Sequence, residues 1–225
     1  RLIGGMIMTH GDDKGLVLPP KIAPIQVVII PIYYSKEEKE KVMQSASNVK
    51  DELSRKNIRV HLDDREQLTP GFKFNDWEMK GIPIRIEIGP KDIAKNQIVL
   101  ARRHNQTKIN LSMYTDETTT MAVITSRDEK GQKTLEDISQ YVRGELENIQ
   151  KEMFDAAKKI LDERVVKVSE YKQFKEELEN GKMIDCSWCG NQTCEDKIKE
   201  ETGADLRVIP SDNAKAETCI YCKNS

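Results

Sequence analysis

Five cysteines occupy the last forty residues of this 225-residue chain, three in CSWCGNQTC (186–194) and two in CIYC (219–222). Thiolate sulfur is a soft, strong ligand, and two short-spaced cysteine pairs supply the four ligands that tetrahedral zinc takes. Cys219 and Cys222 form the second pair. At the first knuckle two pairings are open, Cys186–Cys189 as C-x2-C and Cys189–Cys194 as C-x4-C. Four thiolates leave no position for water or substrate, so a zinc held this way is structural. A redox C-x-x-C would not need the second pair. Between the pairs, CEDKIKEETGADLRVIP reads as a short helix, a glycine turn and a strand.

A second group of polar residues lies in TPGFKFNDWEMKGIPIRIEIGPKDIAKNQIVLARR (69–103). Between Gly71 and Lys108, eight Lys/Arg stand against four Asp/Glu, which leaves net +4 on a chain of net −2. A basic stretch on an otherwise acidic protein is the electrostatic footprint of a surface that binds a nucleic-acid backbone. Glu78, Arg85, Lys91 and Asp92 within it offer both donors and acceptors. A guanine read on its Watson–Crick edge needs a carboxylate to accept from N1–H and N2–H2 and a cation to donate to O6, and single-stranded loops expose that edge. Arg85 and Glu87 equally suit the wet face of an alternating strand, and Glu78 a solvated helix position. Trp77 and Phe74 read as core, and His61 and His104 have no partners at ligand spacing.

The elements that must position these residues alternate. IAPIQVVIIPI (22–32) is apolar on both faces, as in a buried parallel strand. SKEEKEKVMQSASNVKDELSRKN opens on a capping box, Ser35 with Glu38, and continues with Val42, Ala46, Val49 and Leu53 at helical spacing. IRVHLDD (58–64) and NQIVLARR (96–103) read as strands, and 69–81 as a turn and a short helix ending at Gly81. IPIRIEIG (82–89) alternates, placing Ile82, Ile84, Ile86 and Ile88 on one face. KINLSM and TMAVIT are candidate short strands. Leu135, Ile138, Val142, Leu146, Ile149, Met153, Ala156 and Ile160 then form one apolar stripe. The pattern is an α/β domain over 22–133 with a long helix leading to the cysteine module.

Residues 1–32, residues 69–103 and the cysteine tail closely resemble prolyl-tRNA synthetase of the archaeal and eukaryotic-like type, a class II aminoacyl-tRNA synthetase family. The resemblance covers nearly the whole chain. It implies four parts: the end of a class II catalytic domain (1–21), an anticodon-binding domain with a mixed five-stranded sheet and flanking helices (22–133), a long connecting helix (134–168) and a small α+β zinc-binding domain (169–225). Arg1 falls on the motif 3 arginine that contacts ATP phosphates, a task that suits a planar, permanently charged guanidinium. The resemblance assigns Glu78, Arg85, Lys91, Asp92 and Lys108 to anticodon contacts. From the family's metal pattern it selects Cys189, Cys194, Cys219 and Cys222, leaving Cys186 over. Structural zinc is implied here, with ATP, Mg and proline used by the full-length enzyme, tRNA of the proline isoacceptors as partner and a homodimer as the full-length assembly.

The chain lacks an initiating Met and ends without the family's tyrosine-terminated tail, so it reads as a piece of a longer enzyme in which no catalytic set is complete. No apolar run approaches eighteen residues, which argues against a membrane partner. Clustered cysteines without a secretory signal point to a reducing, cytoplasmic compartment. The competing expectation is a non-catalytic zinc module that reuses an anticodon-binding fold for RNA or protein contacts.

Overall fold

The computed structural model describes residues 1–114, 123–127, 133–209 and 218–224. These divide into two compact units, Arg1–Asp155 and Ala156–Ser225. The first begins with α1 (Leu2–His10), β1 (Val27–Pro31), α2 (Lys36–Arg55), β2 (Val60–Leu62), α3 (Pro70–Met79) and β3 (Ile84–Ile88). It continues through α4 (Pro90–Ala94), β4 (Gln97–Arg102), β5 (Lys108–Tyr114), β6 (Val123–Arg127) and β7 (Lys133–Asp137). Helix α5 (Ile138–Arg164) passes into the second unit, which adds β8 (Val165–Lys167), α6 (Tyr171–Glu179), β9 (Met183–Asp185) and α7 (Gln192–Thr202).

The strands of the first unit form one mixed sheet in the order β2-β1-β3-β4-β5-β6-β7. β1 lies parallel to β2 and β3, and every later pair is antiparallel. The five expected strands are the first five in this order, and β6 with β7 continues the sheet. Part of TMAVIT, residues 120–122, lies outside the described residues.

The pattern of β1 shows why the sheet is covered on both sides. All five of its residues are buried. Val27 and Ile29 join Ile84, Ile86, Ile88, Ile98 and Leu100 beneath α2 and α5. Val28 and Ile30 face the other way, onto Trp77, Ile82 and half-buried Phe74. Successive strand residues point to opposite faces, so a strand apolar at every position needs a layer on each side. Each fully buried isoleucine contributes about 1.5–3 kcal/mol relative to an exposed one. The capping box forms as expected: the Glu38 amide donates to Ser35 Oγ at 3.2 Å, and the Ser35 amide donates to Glu38 Oε2 at 3.3 Å.

Three expectations are corrected. Ile82 packs against Val28, Ile30 and Trp77, not with Ile84, Ile86 and Ile88. Gly81 adopts φ +74° and the strand starts only at Ile84, so the alternation does not extend back to Ile82. The helix expected over 134–168 runs Ile138–Arg164. Leu135 shares the stripe's spacing but belongs to β7, which pairs with β6, and the Asp137 carboxylate accepts from the Ser139 amide at 2.8 Å where the helix opens. At the other end, Val165–Lys167 leaves the helix to pair in parallel with Met183–Asp185. The strand expected after Gly203 does not form over 204–209, where Leu206, Val208 and Ile209 are exposed.

Helix α3 is held to the sheet by a fully buried carboxylate. Asp63 accepts from Trp77 Nε1 at 2.7 Å and from Arg65 Nε and Nη2 at 2.9 and 2.7 Å. Lys73, itself 3% exposed, donates to the Asp63 carbonyl at 3.0 Å. Burial opposes ionisation of Asp63, but the donors from Arg65 and Trp77 outweigh it and hold the carboxyl well below the usual range. Asp63→Ala leaves the Lys73 charge and the indole N–H without this partner. A loss of about 3–5 kcal/mol in denaturant unfolding is expected. A loss below about 1 kcal/mol, the level of a solvated surface pair, would show that the network does not hold α3.

Candidate nucleic-acid interface and metal centre

A cleft of about 140 Å³ opens where α3 meets the sheet. Its floor is a row of residues in register across the four strands β1, β3, β4 and β5: Val28 beside Arg85, Arg85 beside Ala101, and Ala101 beside Lys108. The small Ala101 side chain leaves space between the two cations. The walls carry Trp77, Glu78 and Ile82 from the α3 side, Arg102, Arg103 and Gln106 from the end of β4, and Lys14 from a turn near the start of the chain.

Ion pairs fix the cations of this cleft in place. Glu87, 9% exposed at its side chain, pairs with Arg85 at 2.9 Å and with Lys108 at 3.0 Å. Arg85 also sits over the Phe74 ring, 4.5 Å from its centroid. Arg103 is buried and binds Asp12 through both Nη atoms, at 2.7 and 2.6 Å, while its Nε donates to the Glu78 carbonyl at 2.8 Å. The Asp12 turn, closed by paired bonds with Gly15, carries Lys14 to Gln106 at 2.6 Å and to within 3.4 Å of Glu78. Two glycines permit this approach. A Cβ on Gly15 (φ +127°) would lie 2.6 Å from the Met79 carbonyl, and one on Gly81 2.6 Å from the Leu16 carbonyl.

The sequence-predicted residues divide into three groups. Glu78, Arg85 and Lys108 come together in the cleft. Lys91 and Asp92 do not, because α4 follows the far end of β3 from Arg85. Lys91 is exposed there, and Asp92 caps α4, accepting from the Gly89 amide at 3.0 Å and from Gln97 at 3.1 Å. Arg1 stands exposed at the start of α1, a helix with no buried residue. Glu87 was read as the wet face of a strand but is buried, since α3 covers that face. Lys14, Arg102, Arg103 and Gln106 were missed, and the only signal for Arg103 was an arginine pair closing an apolar strand.

The net +4 of this stretch is not a free field. Six of its eight cations are in ion pairs, three of them with acids outside the stretch: Lys73 with Asp63, Arg102 with Glu145 and Glu152 on α5, and Arg103 with Asp12. What remains is a cleft with fixed donors and one partly exposed carboxylate, Glu78. That is an arrangement for recognising hydrogen-bonding edges more than for attracting charge.

In the second unit the sulfurs of Cys189, Cys194, Cys219 and Cys222 all lie within 4.8 Å of one another. Cys189 is 3.7 Å from Cys194 and 3.8 Å from Cys222. Four sulfurs about 2.3 Å from one tetrahedral centre are about 3.8 Å apart, so the set fits a zinc-sized ion. Cys194 lies buried in the first turn of α7, where burial and then the neighbouring Cys189 and Cys222 thiols push its thiol pKa up to about 12. Gly190 turns the first knuckle at φ +78°, and the amide of Ile220 donates to the Ser187 carbonyl at 2.8 Å, tying the knuckles together. Cys186 is outside the group. It packs against the small core of Phe174, Ile198 and Ile220, and burial pushes its thiol pKa up.

Residues 26–115 match the family model of an anticodon binding domain, and residues 171–225 that of the prolyl-tRNA synthetase C-terminal domain. A proline–tRNA ligase of Cenarchaeum symbiosum is 46% identical over 222 residues, covering 99% of this chain and 42% of that protein. The chloroplastic/mitochondrial proline–tRNA ligase of Arabidopsis thaliana is 42% identical, covering 100% of this chain and 38% of that protein. A crystal structure of prolyl-tRNA synthetase from Cryptosporidium parvum, complexed with L-proline and AMP, matches with a TM-score of 0.79 at 35% identity, over 99% of this chain and 43% of that one. The chain therefore spans 38–43% of the length of these relatives.

The Arg103 clasp makes a pH prediction. Hydrogen bonds from Arg103 lower the Asp12 pKa from about 3.8 to about 2, against the opposing effect of burial. Its contribution to stability is therefore present above about pH 4 and lost as pH falls through about 2. A carboxyl titration followed by NMR should show a midpoint near 2 for Asp12, and Arg103→Lys, which cannot reproduce the fork, should move it up toward 3.8. An unmoved midpoint in that variant would show that Arg103 does not set it.

Proposed function

We propose that this chain, which belongs to the prolyl-tRNA synthetase family, is the tRNA-recognising part of a proline–tRNA ligase. The whole enzyme would join proline to its tRNA in an ATP-driven reaction, using a catalytic domain of which residues 1–21 form the end and Arg1 the ATP-phosphate contact. The observation that carries this reading is the cleft that gathers Glu78, Arg85 and Lys108 inside a segment matching an anticodon-binding domain. Glu78 offers the acceptor that guanine N1–H and N2–H2 require, and Arg85 and Lys108 offer donors for O6. Lys91 and Asp92, at the other end of β3, would meet a second anticodon base. The Asp92 oxygens keep accepting capacity after capping α4, because each carries two lone-pair sites.

Zinc at Cys189, Cys194, Cys219 and Cys222 would cross-link the C-terminal module and take no part in chemistry. The full-length enzyme would use Mg with ATP, work as a homodimer and reside in the cytoplasm. Among the described residues no helix is long and apolar enough to cross a membrane.

Binding competition at fixed salt tests the reading directly. Proline tRNA should displace a labelled copy at least about tenfold better than the same tRNA with its shared anticodon guanines replaced, as one to two good base contacts allow. Arg85→Ala should cost about 1–3 kcal/mol on proline tRNA and much less on the altered tRNA. Equal loss on both would mean that Arg85 touches only the backbone. Native mass spectrometry should find one zinc per chain. Chelation should then abolish the fold of the second unit while the first keeps its cooperative melt. A metal-free module with an unchanged spectrum would sink the zinc assignment.

A further inference from the structure

We propose that Glu87 is a positioning residue that selects guanine by fixing which edge of Arg85 and Lys108 a base can meet. This inference rests on the anticodon-reading role of the cleft. The Glu87 carboxylate is nearly inaccessible and belongs to neither the sequence-predicted site nor the cleft lining. Oε1 accepts from Arg85 Nε at 3.0 Å and from Nη2 at 2.9 Å. The same carboxylate accepts from Lys108 Nζ at 3.0 and 3.1 Å, across the intervening strand β4. Phe74 supports both cations from one side, 4.5 Å from the Arg85 guanidinium and 5.8 Å from the Lys108 ammonium.

These contacts leave a defined set of donors. Glu87 engages the Nε edge of Arg85, so the free pair is the end-on one, Nη1 with the second Nη2 hydrogen. Two parallel donors match the O6 and N7 acceptors of guanine, whereas adenine presents a donor beside N7. Lys108, held on the same carboxylate, adds a donor near O6. An arginine without this anchor would be free to turn toward phosphate oxygens, which carry no sequence information. Glu87 also reduces the charge of the three-residue group from +2 to +1. It therefore weakens attraction to any RNA backbone while sharpening the choice of base.

That opposition is the test. Binding of the chain and two variants is measured across a salt series, against proline tRNA and against the same tRNA with its anticodon guanines replaced by adenine. Glu87→Gln should bind both RNAs more tightly at low salt, with a salt slope steeper by about one, and lose most of the guanine preference. Glu87→Asp keeps the charge but withdraws the carboxylate by one methylene. It should leave the slope unchanged and still lose preference, by about tenfold or to none. Equal weakening on both RNAs with a lowered melting temperature is the mark of a merely structural role and overturns the inference, as does wild-type preference in both variants. A wild-type chain with no guanine preference overturns the anticodon reading itself and this inference with it.

Discussion

Helix α3 must stay on the second face of the sheet, and one buried interaction secures it. The Trp77 indole donates to a carboxylate with no exposed surface, and Arg65 and Lys73 close around the same residue. An ionised group is costly to bury unless its lone pairs are used, and Asp63 uses them. Everything above the sheet follows from this attachment. Phe74 covers Arg85, Glu78 reaches the cleft, and the backbone of Met79 and Gly81 receives the segment at Leu16 and Leu18.

The cleft repeats the same physics with different residues. Each of Arg85, Arg102 and Arg103 is tied to an acid supplied by a different part of the chain: Glu87 on the same strand, Glu145 on α5 and Asp12 from the N-terminal turn. Such pairing reduces the net field, and long-range attraction with it. In exchange the guanidinium planes are held in place, and a planar fork is useful in recognition only when its orientation is fixed. A surface built this way is suited to discrimination among similar ligands more than to tight binding of any polyanion.

The second unit solves a different problem. Its apolar cluster centres on Phe174, Ile198 and Ile220, with only partly buried neighbours around them. A core of that size is marginal by itself. Four converging sulfurs, three of them drawn from loops and one from the first turn of α7, offer the cross-link that such a small module needs.

Much of this was legible in the residues alone. The alternation of β3, the all-apolar β1, the capping box at Ser35 and the stripe of α2 are local patterns, and local patterns follow from side-chain spacing along one element. The cysteine pairs were equally plain, because ligand spacing within a knuckle is a sequence property. What the sequence could not determine was which partner each polar side chain finds. Glu87 and Arg85 alternate with isoleucines and read as solvent-facing until α3 is placed above them. Arg103 and Asp12 are 91 residues apart, and their pairing depends on two turns and two glycines that bring distant backbone into contact. Spacing alone left both Cys186 and Cys194 open as the partner of Cys189; the family resemblance selected Cys194, and the fold gathers that set while seating Cys186 in the apolar cluster. Periodicity reports which face a residue occupies, but only tertiary packing decides whether that face meets water, another layer or an opposite charge.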